Sequence, residues 1–172
     1  GQSVLADPEP ILRRIQAPTL LVWGEKDALV PFDNAADYVK FVEITAPLIR
    51  KRVPKSFLIG GSFSGIPYAY LEEALTAGLA KHVDAISYHP YQPTPEANYA
   101  GRIRALKSLM RRHKPSLQLW QGENGAPSSP NSSGALSQWA WDEPSQAKWL
   151  TRRLVTDLAY GVGVQFRLLS LG

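Results

Sequence analysis

The feature that most constrains this sequence is a unit that occurs twice. Arg50-Lys51-Arg52-Val53-Pro54-Lys55-Ser56 and Arg111-Arg112-His113-Lys114-Pro115-Ser116 each read as a basic last helical turn, a proline stop and the approach to a strand. Cations stabilise the negative end of a helix dipole and proline cannot continue the helix, so both signals mark one boundary. Beyond them lie Phe57-Leu58-Ile59-Gly60 and Leu117-Gln118-Leu119-Trp120, short and mostly apolar, as strands buried on both faces are. Ala17-Pro18-Thr19 leads into a third such run, Leu20-Leu21-Val22-Trp23. Val83-Asp84-Ala85-Ile86-Ser87-Tyr88 is a fourth, and residues 162–169 are a fifth.

Helical patterns fill the intervals. Over residues 34–52, Tyr38, Phe41, Val42, Thr45, Leu48 and Ile49 recur at three- and four-residue spacing. Residues 67–81, 95–113 and 144–160 each place a proline near a first turn, and in the last of these Leu150, Leu154 and Leu158 form one stripe. Strand and helix in strict alternation predict an α/β fold, a parallel sheet of about five strands built from βα units with right-handed crossovers. A complete (β/α)8 barrel needs eight units and about 250 residues, more than these 172 residues and five runs supply. What remains is part of a barrel, an open parallel sheet, or a fragment completed by a second chain.

Composition narrows the function classes. With 44% hydrophobic and 20% charged residues the chain can bury a core. The absence of cysteine excludes disulfides, thiolate zinc sites and a cysteine nucleophile. The three histidines show no metal-ligand spacing, so neither a metal nor another cofactor is expected. The net charge of +4 comes with clusters that the helix ends explain, on the face opposite a catalytic mouth, and no nucleic-acid motif accompanies them. No run approaches the roughly 18 apolar residues of a membrane span, and Gly1-Gln2-Ser3 lacks the basic and apolar regions of a signal peptide. No nucleic-acid or membrane partner is expected, and the compartment stays open.

Two runs end alike. Leu21-Val22-Trp23-Gly24-Glu25 and Leu119-Trp120-Gln121-Gly122-Glu123 each put a glutamate just past a strand, and sites in parallel sheets form beyond the carboxyl ends of strands. Two carboxylates there are the minimum for glycoside hydrolysis, one to donate a proton and one to act as nucleophile or base. The competing reading of each is a solvated loop residue. His89 and Tyr91 would line the same mouth, with Trp120 and Asn124 from the second run completing a substrate-binding set. Residues 122–143 form a long segment rich in Ser, Pro, Asn and Gly, the composition of a binding loop or lid. In it Trp139 and Trp141 offer flat faces to a sugar ring or pack the loop onto the body.

The run from Leu119 to Gly125, with Glu123-Asn124-Gly125 after an apolar strand, resembles the seventh-strand nucleophile motif of the (β/α)8 clan of retaining glycoside hydrolases. The run from Val83 to Tyr91 is similar to the sixth strand of the same enzymes, and residues 50–61 to their fourth helix and fifth strand. Residues 38–162 therefore resemble the second half of such a barrel. The resemblance implies hydrolysis of O-glycosidic bonds by two carboxylates, with Glu123 as nucleophile, Glu25 as acid/base and a carbohydrate as partner. In that clan the proton donor follows Asn and precedes Pro, whereas here Gly24 and Lys26 flank Glu25.

Residues 1–37 resemble a different family. Ala17 to Asp27, followed by Val30-Pro31, looks like a late strand of the α/β-hydrolases, in which Asp27 would belong to a catalytic triad. The rest of that triad is missing, because Gly60-Gly61-Ser62-Phe63-Ser64-Gly65 puts Phe63 where a nucleophile elbow needs serine, and no histidine follows in the terminal loop. The chain thus reads as one α/β domain over residues 1–172 with a joint near residue 37. It is either a glycoside hydrolase-like protein or a chimeric or truncated folding module without activity. An open half-barrel exposes strand edges, which predicts a homodimer through them.

Overall fold

A computed structural model describes residues 34–163. The predicted strand at residues 20–23, with Glu25 and Asp27, lies outside the described residues, as do residues 164–169 of the fifth run. Within them the chain alternates as predicted: α1 (Ala35–Arg52), β1 (Ile59–Ser64), α2 (Tyr68–Thr76), a short 3-10 turn (Leu79–Lys81), β2 (Ala85–His89), α3 (Tyr99–His113), β3 (Gln118–Gln121) and α4 (Glu143–Ala159). The strands form a parallel sheet in the order β1-β2-β3.

Each helix begins and ends for local reasons. The Asn34 side chain caps α1 by accepting the Asp37 N–H at 2.9 Å. Asp142 and Ser145 cap α4 reciprocally, with Pro144 in its first turn. The basic turns Arg50-Lys51-Arg52 and Arg111-Arg112-His113 close α1 and α3. They lie at the amino end of the sheet, where Asp84, just before β2, meets Arg50 of the first turn and Lys114 just past the second. Its Oδ2 accepts from Arg50 Nη2 at 2.9 Å and from the Leu58 N–H at 2.8 Å, while Lys114 Nζ donates to the Val83 carbonyl at 2.7 Å.

Side chains alternate across the sheet. Leu58, Phe63, Ile86, Tyr88, Leu117 and Leu119 face the helices and share one core with Tyr38, Val42, Leu75, Ile103, Leu106 and Leu109. Trp120 turns the other way and stacks on Phe57, ring centroids 5.1 Å apart. In β1 the register shifts between Gly61 and Phe63, and Ser62, left unpaired, takes a left-handed φ of 65°. After α4 the Gly163 N–H donates to the Leu119 carbonyl at 2.9 Å, bringing the chain beside β3 where the fifth predicted run begins.

One helical expectation is corrected. The leucine stripe of α4 is not its buried face, since Leu154 and Leu158 are 42% and 65% exposed. The buried side chains of α4 are Trp149, Arg153, Thr156 and Asp157. An arginine and an aspartate one turn apart can be buried together when they neutralise each other, so that face is disguised in a hydrophobicity pattern.

Candidate active site

The carboxyl ends of β2 and β3 bring Glu123 and Tyr91 together. Each lies two residues past its strand, and the Tyr91 hydroxyl donates to Glu123 Oε1 at 2.5 Å. Burial raises the Tyr91 pKa, and the hydrogen bond to Glu123 and its negative charge raise it further. The phenol therefore stays protonated and acts as a donor to the carboxylate. His89, the last residue of β2, is pushed the opposite way, its pKa lowered by burial and partly restored by the charge of Glu123.

Gly122 makes this geometry attainable. A Cβ there would lie 2.0 Å from Ser87 Oγ and 3.3 Å from His89 Nε2, so only glycine lets the end of β3 press against β2. Its N–H continues the ladder by donating to the Tyr88 carbonyl at 3.2 Å. Glu123 is consequently held next to the His89 strand end.

The other candidates occupy distinct places. Asn124 is fully buried, with Nδ2 donating to the Pro90 carbonyl at 3.4 Å and Oδ1 accepting the Gly125 N–H at 3.0 Å. It ties the loop after β3 to the loop after β2. Trp120 has one ring face covered by Phe57, and its Nε1 donates to Gln118 Oε1 at 2.9 Å. Trp139 is 42% exposed, whereas Trp141 is buried, donates from Nε1 to the Leu136 carbonyl at 2.7 Å and meets Trp149 edge to face. Ala126, Leu136, Trp141 and Trp149 form a second, small core against which Tyr91 packs. The long loop therefore brings its own hydrophobic support, and that support backs the side chain that holds Glu123.

Sequence reasoning missed a buried polar cluster beneath the mouth. Arg153, Asp157, Tyr99, Gln121 and Tyr88 are all at most 1% exposed. Asp157 accepts from both Arg153 and Tyr99, and also from Gln121, the last residue of β3. The usable signal was the Arg153/Asp157 spacing of one helical turn, which also describes any solvated surface pair. Among the described residues, no group of three or more His, Asp or Glu is placed to hold a metal ion, and no helix is long and apolar enough to cross a membrane.

No protein-family model matches the sequence, and no curated protein matches it. Solved structures do. A family 39 glycoside hydrolase from the gut symbiont Bacteroides cellulosilyticus WH2 superposes with a TM-score of 0.59 at 22% identity, over 76% of this chain and 29% of its own. An α-L-arabinofuranosidase from Thermotoga maritima gives 0.59 at 16% identity, over 84% of this chain and 33% of its own. An endo-β-1,4-mannanase from Cellulomonas fimi gives 0.52 at 15% identity, over 78% and 29%. The chain spans about a third of the length of these structures. Its fold is that of part of a (β/α)8 barrel of the kind found in glycoside hydrolases.

Proposed function

We propose that the chain carries the nucleophile side of a retaining glycoside hydrolase site, with Glu123 as nucleophile and Glu25 as acid/base. The observation that carries this reading is the Tyr91–Glu123 hydrogen bond past two neighbouring parallel strands. The phenol orients the carboxylate through one of its two oxygens, which leaves the other as the attacking atom in this reading. In the first step the Glu123 carboxylate attacks the anomeric carbon. The bond to the leaving oxygen breaks, and that oxygen takes the proton of Glu25. In the second step water attacks the same carbon, returns a proton to Glu25 and releases Glu123. The chemistry requires the two carboxyl groups to stand about 5–5.5 Å apart. In this reading half-buried His89, its pKa lowered by burial, and the exposed Trp139 serve as sugar contacts, the one by hydrogen bonding and the other by stacking.

A second reading, a folding module without activity, is favoured by Gly24 and Lys26 in place of the Asn and Pro that flank the clan's proton donor. The deciding experiment follows the hydrolysis of a panel of aryl glycosides by proton NMR. The first reading predicts a product of unchanged anomeric configuration, abolished by Glu123→Ala. An inverted product, or full activity in Glu123→Ala, contradicts it. No hydrolysis by folded protein supports the module.

A further inference from the structure

We propose that Arg153 and Asp157 of α4 are positioning residues that set the Tyr91–Glu123 pair by gripping both of the loops that carry it. The inference rests on the reading of Glu123 given above for its catalytic consequence, but not for its structural one.

The Asp157 carboxylate accepts four donors. Oδ1 takes Tyr99 Oη at 2.5 Å and Arg153 Nη2, and Oδ2 takes Arg153 Nε at 3.0 Å and Gln121 Nε2. Four donors fill a carboxylate's acceptor sites, and this fixes the proton order. Tyr99 must donate to Asp157, so its own oxygen accepts from the Tyr88 hydroxyl. The guanidinium also lies 3.9 Å from the Tyr99 ring centroid, a cation–π contact shielded from water. Such a cluster has one low-energy arrangement, because any shift strands a buried charge.

Two arms lead from it to the mouth. Gln121 ends β3 two residues before Glu123, and its amide is held by Asp157. On the other side Arg153 Nη1 donates to the Pro95 carbonyl at 2.9 Å. Gln92 Nε2 donates to that same carbonyl at 2.7 Å, and Trp149 Nε1 donates to the Gln92 carbonyl at 2.9 Å. Gln92 adjoins Tyr91. One helix thus fixes the donor loop and the acceptor loop, whose direct tie, Asn124 to the Pro90 carbonyl, is long at 3.4 Å.

Two variants test this. Arg153→Lys keeps a cation for Asp157 but cannot reach the Pro95 carbonyl as well, and Gln121→Met removes the other arm without changing any charge. Hydrogen exchange read by mass spectrometry should rise about tenfold or more in residues 90–98 for the first and in residues 122–126 for the second, with residues 35–64 unchanged. On a hydrolysed glycoside, kcat should fall by about ten- to a hundredfold with KM little altered, as for a small misplacement of reacting groups. If exchange instead rises equally in residues 35–64, or stays at the wild-type level in both loops, the proposal is overturned. Should Arg153→Lys not fold, Gln121→Met carries the same decision. If the wild type hydrolyses nothing while the local exchange response is present, the clamp stands and the hydrolase reading fails.

Discussion

Gly122→Ala is the sharpest test of how the site is assembled. The added Cβ would sit 2.0 Å from Ser87 Oγ, a separation no pair of such atoms tolerates, and 3.3 Å from both Ser87 Cβ and His89 Nε2. Ser87 is only 2% exposed on the central strand of the described sheet, so its hydroxyl can rotate away only into packed surroundings. Either Ser87 changes rotamer or the end of β3 moves off β2, carrying Glu123 with it. Overpacking of this kind costs about 1–3 kcal/mol. At about 2–4 °C per kcal/mol for a domain of this size, a cost of 2 kcal/mol lowers Tm by about 4–8 °C. Ser87→Ala removes the offending oxygen and leaves a 3.3 Å Cβ–Cβ approach that a small shift relieves. The double variant Ser87→Ala/Gly122→Ala should therefore regain more than half of the loss, a coupling of about 1 kcal/mol or more in a double-mutant cycle measured by urea denaturation. If Gly122→Ala is as stable as the wild type, or the two changes are simply additive, the close approach of the two strands is not what requires glycine.

Three further predictions follow from the electrostatics and capping. Burial raises the Asp84 pKa, but the Leu58 N–H, Arg50 and Lys114 outweigh it and hold the carboxyl below its ordinary value. That stabilisation is present above the unfolded carboxylate pKa of about 3.9 and is lost as pH falls through the lower folded value. Urea denaturation between neutral and acid pH should thus show a shallower acid loss for Asp84→Asn, and an unchanged slope would contradict the hub. His89 should titrate below an ordinary imidazole in an NMR experiment, and Glu123→Gln should move its midpoint further down by removing the charge that favours the imidazolium. An upward shift would mean that Glu123 does not act on His89. Asn34→Ala should destabilise the protein by about 1 kcal/mol through loss of the α1 cap, and no change in the denaturation midpoint would show that the cap carries no weight.

The fold was legible where one signal served one purpose. A basic helix end, a proline and an apolar run specify a boundary and a direction together, so β1, β3 and the helices before them stood out from local chemistry. Tertiary context decided the rest. Leu154 and Leu158 look like a core stripe yet are exposed, because Arg153 and Asp157 neutralise each other and occupy the buried face instead. No single-sequence pattern separates a buried ion pair from a solvated one. That Glu123, His89 and Tyr91 lie at neighbouring strand ends was readable, since position past an apolar run decides it. Its supports were not: Tyr99 and Gln121 are unremarkable residues until α4 brings Asp157 to them across 58 and 36 positions of chain. Trp141 had two roles open to it in the sequence, and the small core it forms with Trp149 emerges only when the loop is folded back.

A Glu123 nucleophile forms a glycosyl ester that covalent trapping captures. Folded protein incubated with activated 2-fluoro glycosides of several sugars should gain the mass of one glycosyl unit, and peptide mapping should place it on Glu123. Glu123→Gln should gain none. An adduct on another residue, or an unmodified Glu123 with a glycoside that the protein demonstrably hydrolyses, would show that Glu123 is not the nucleophile.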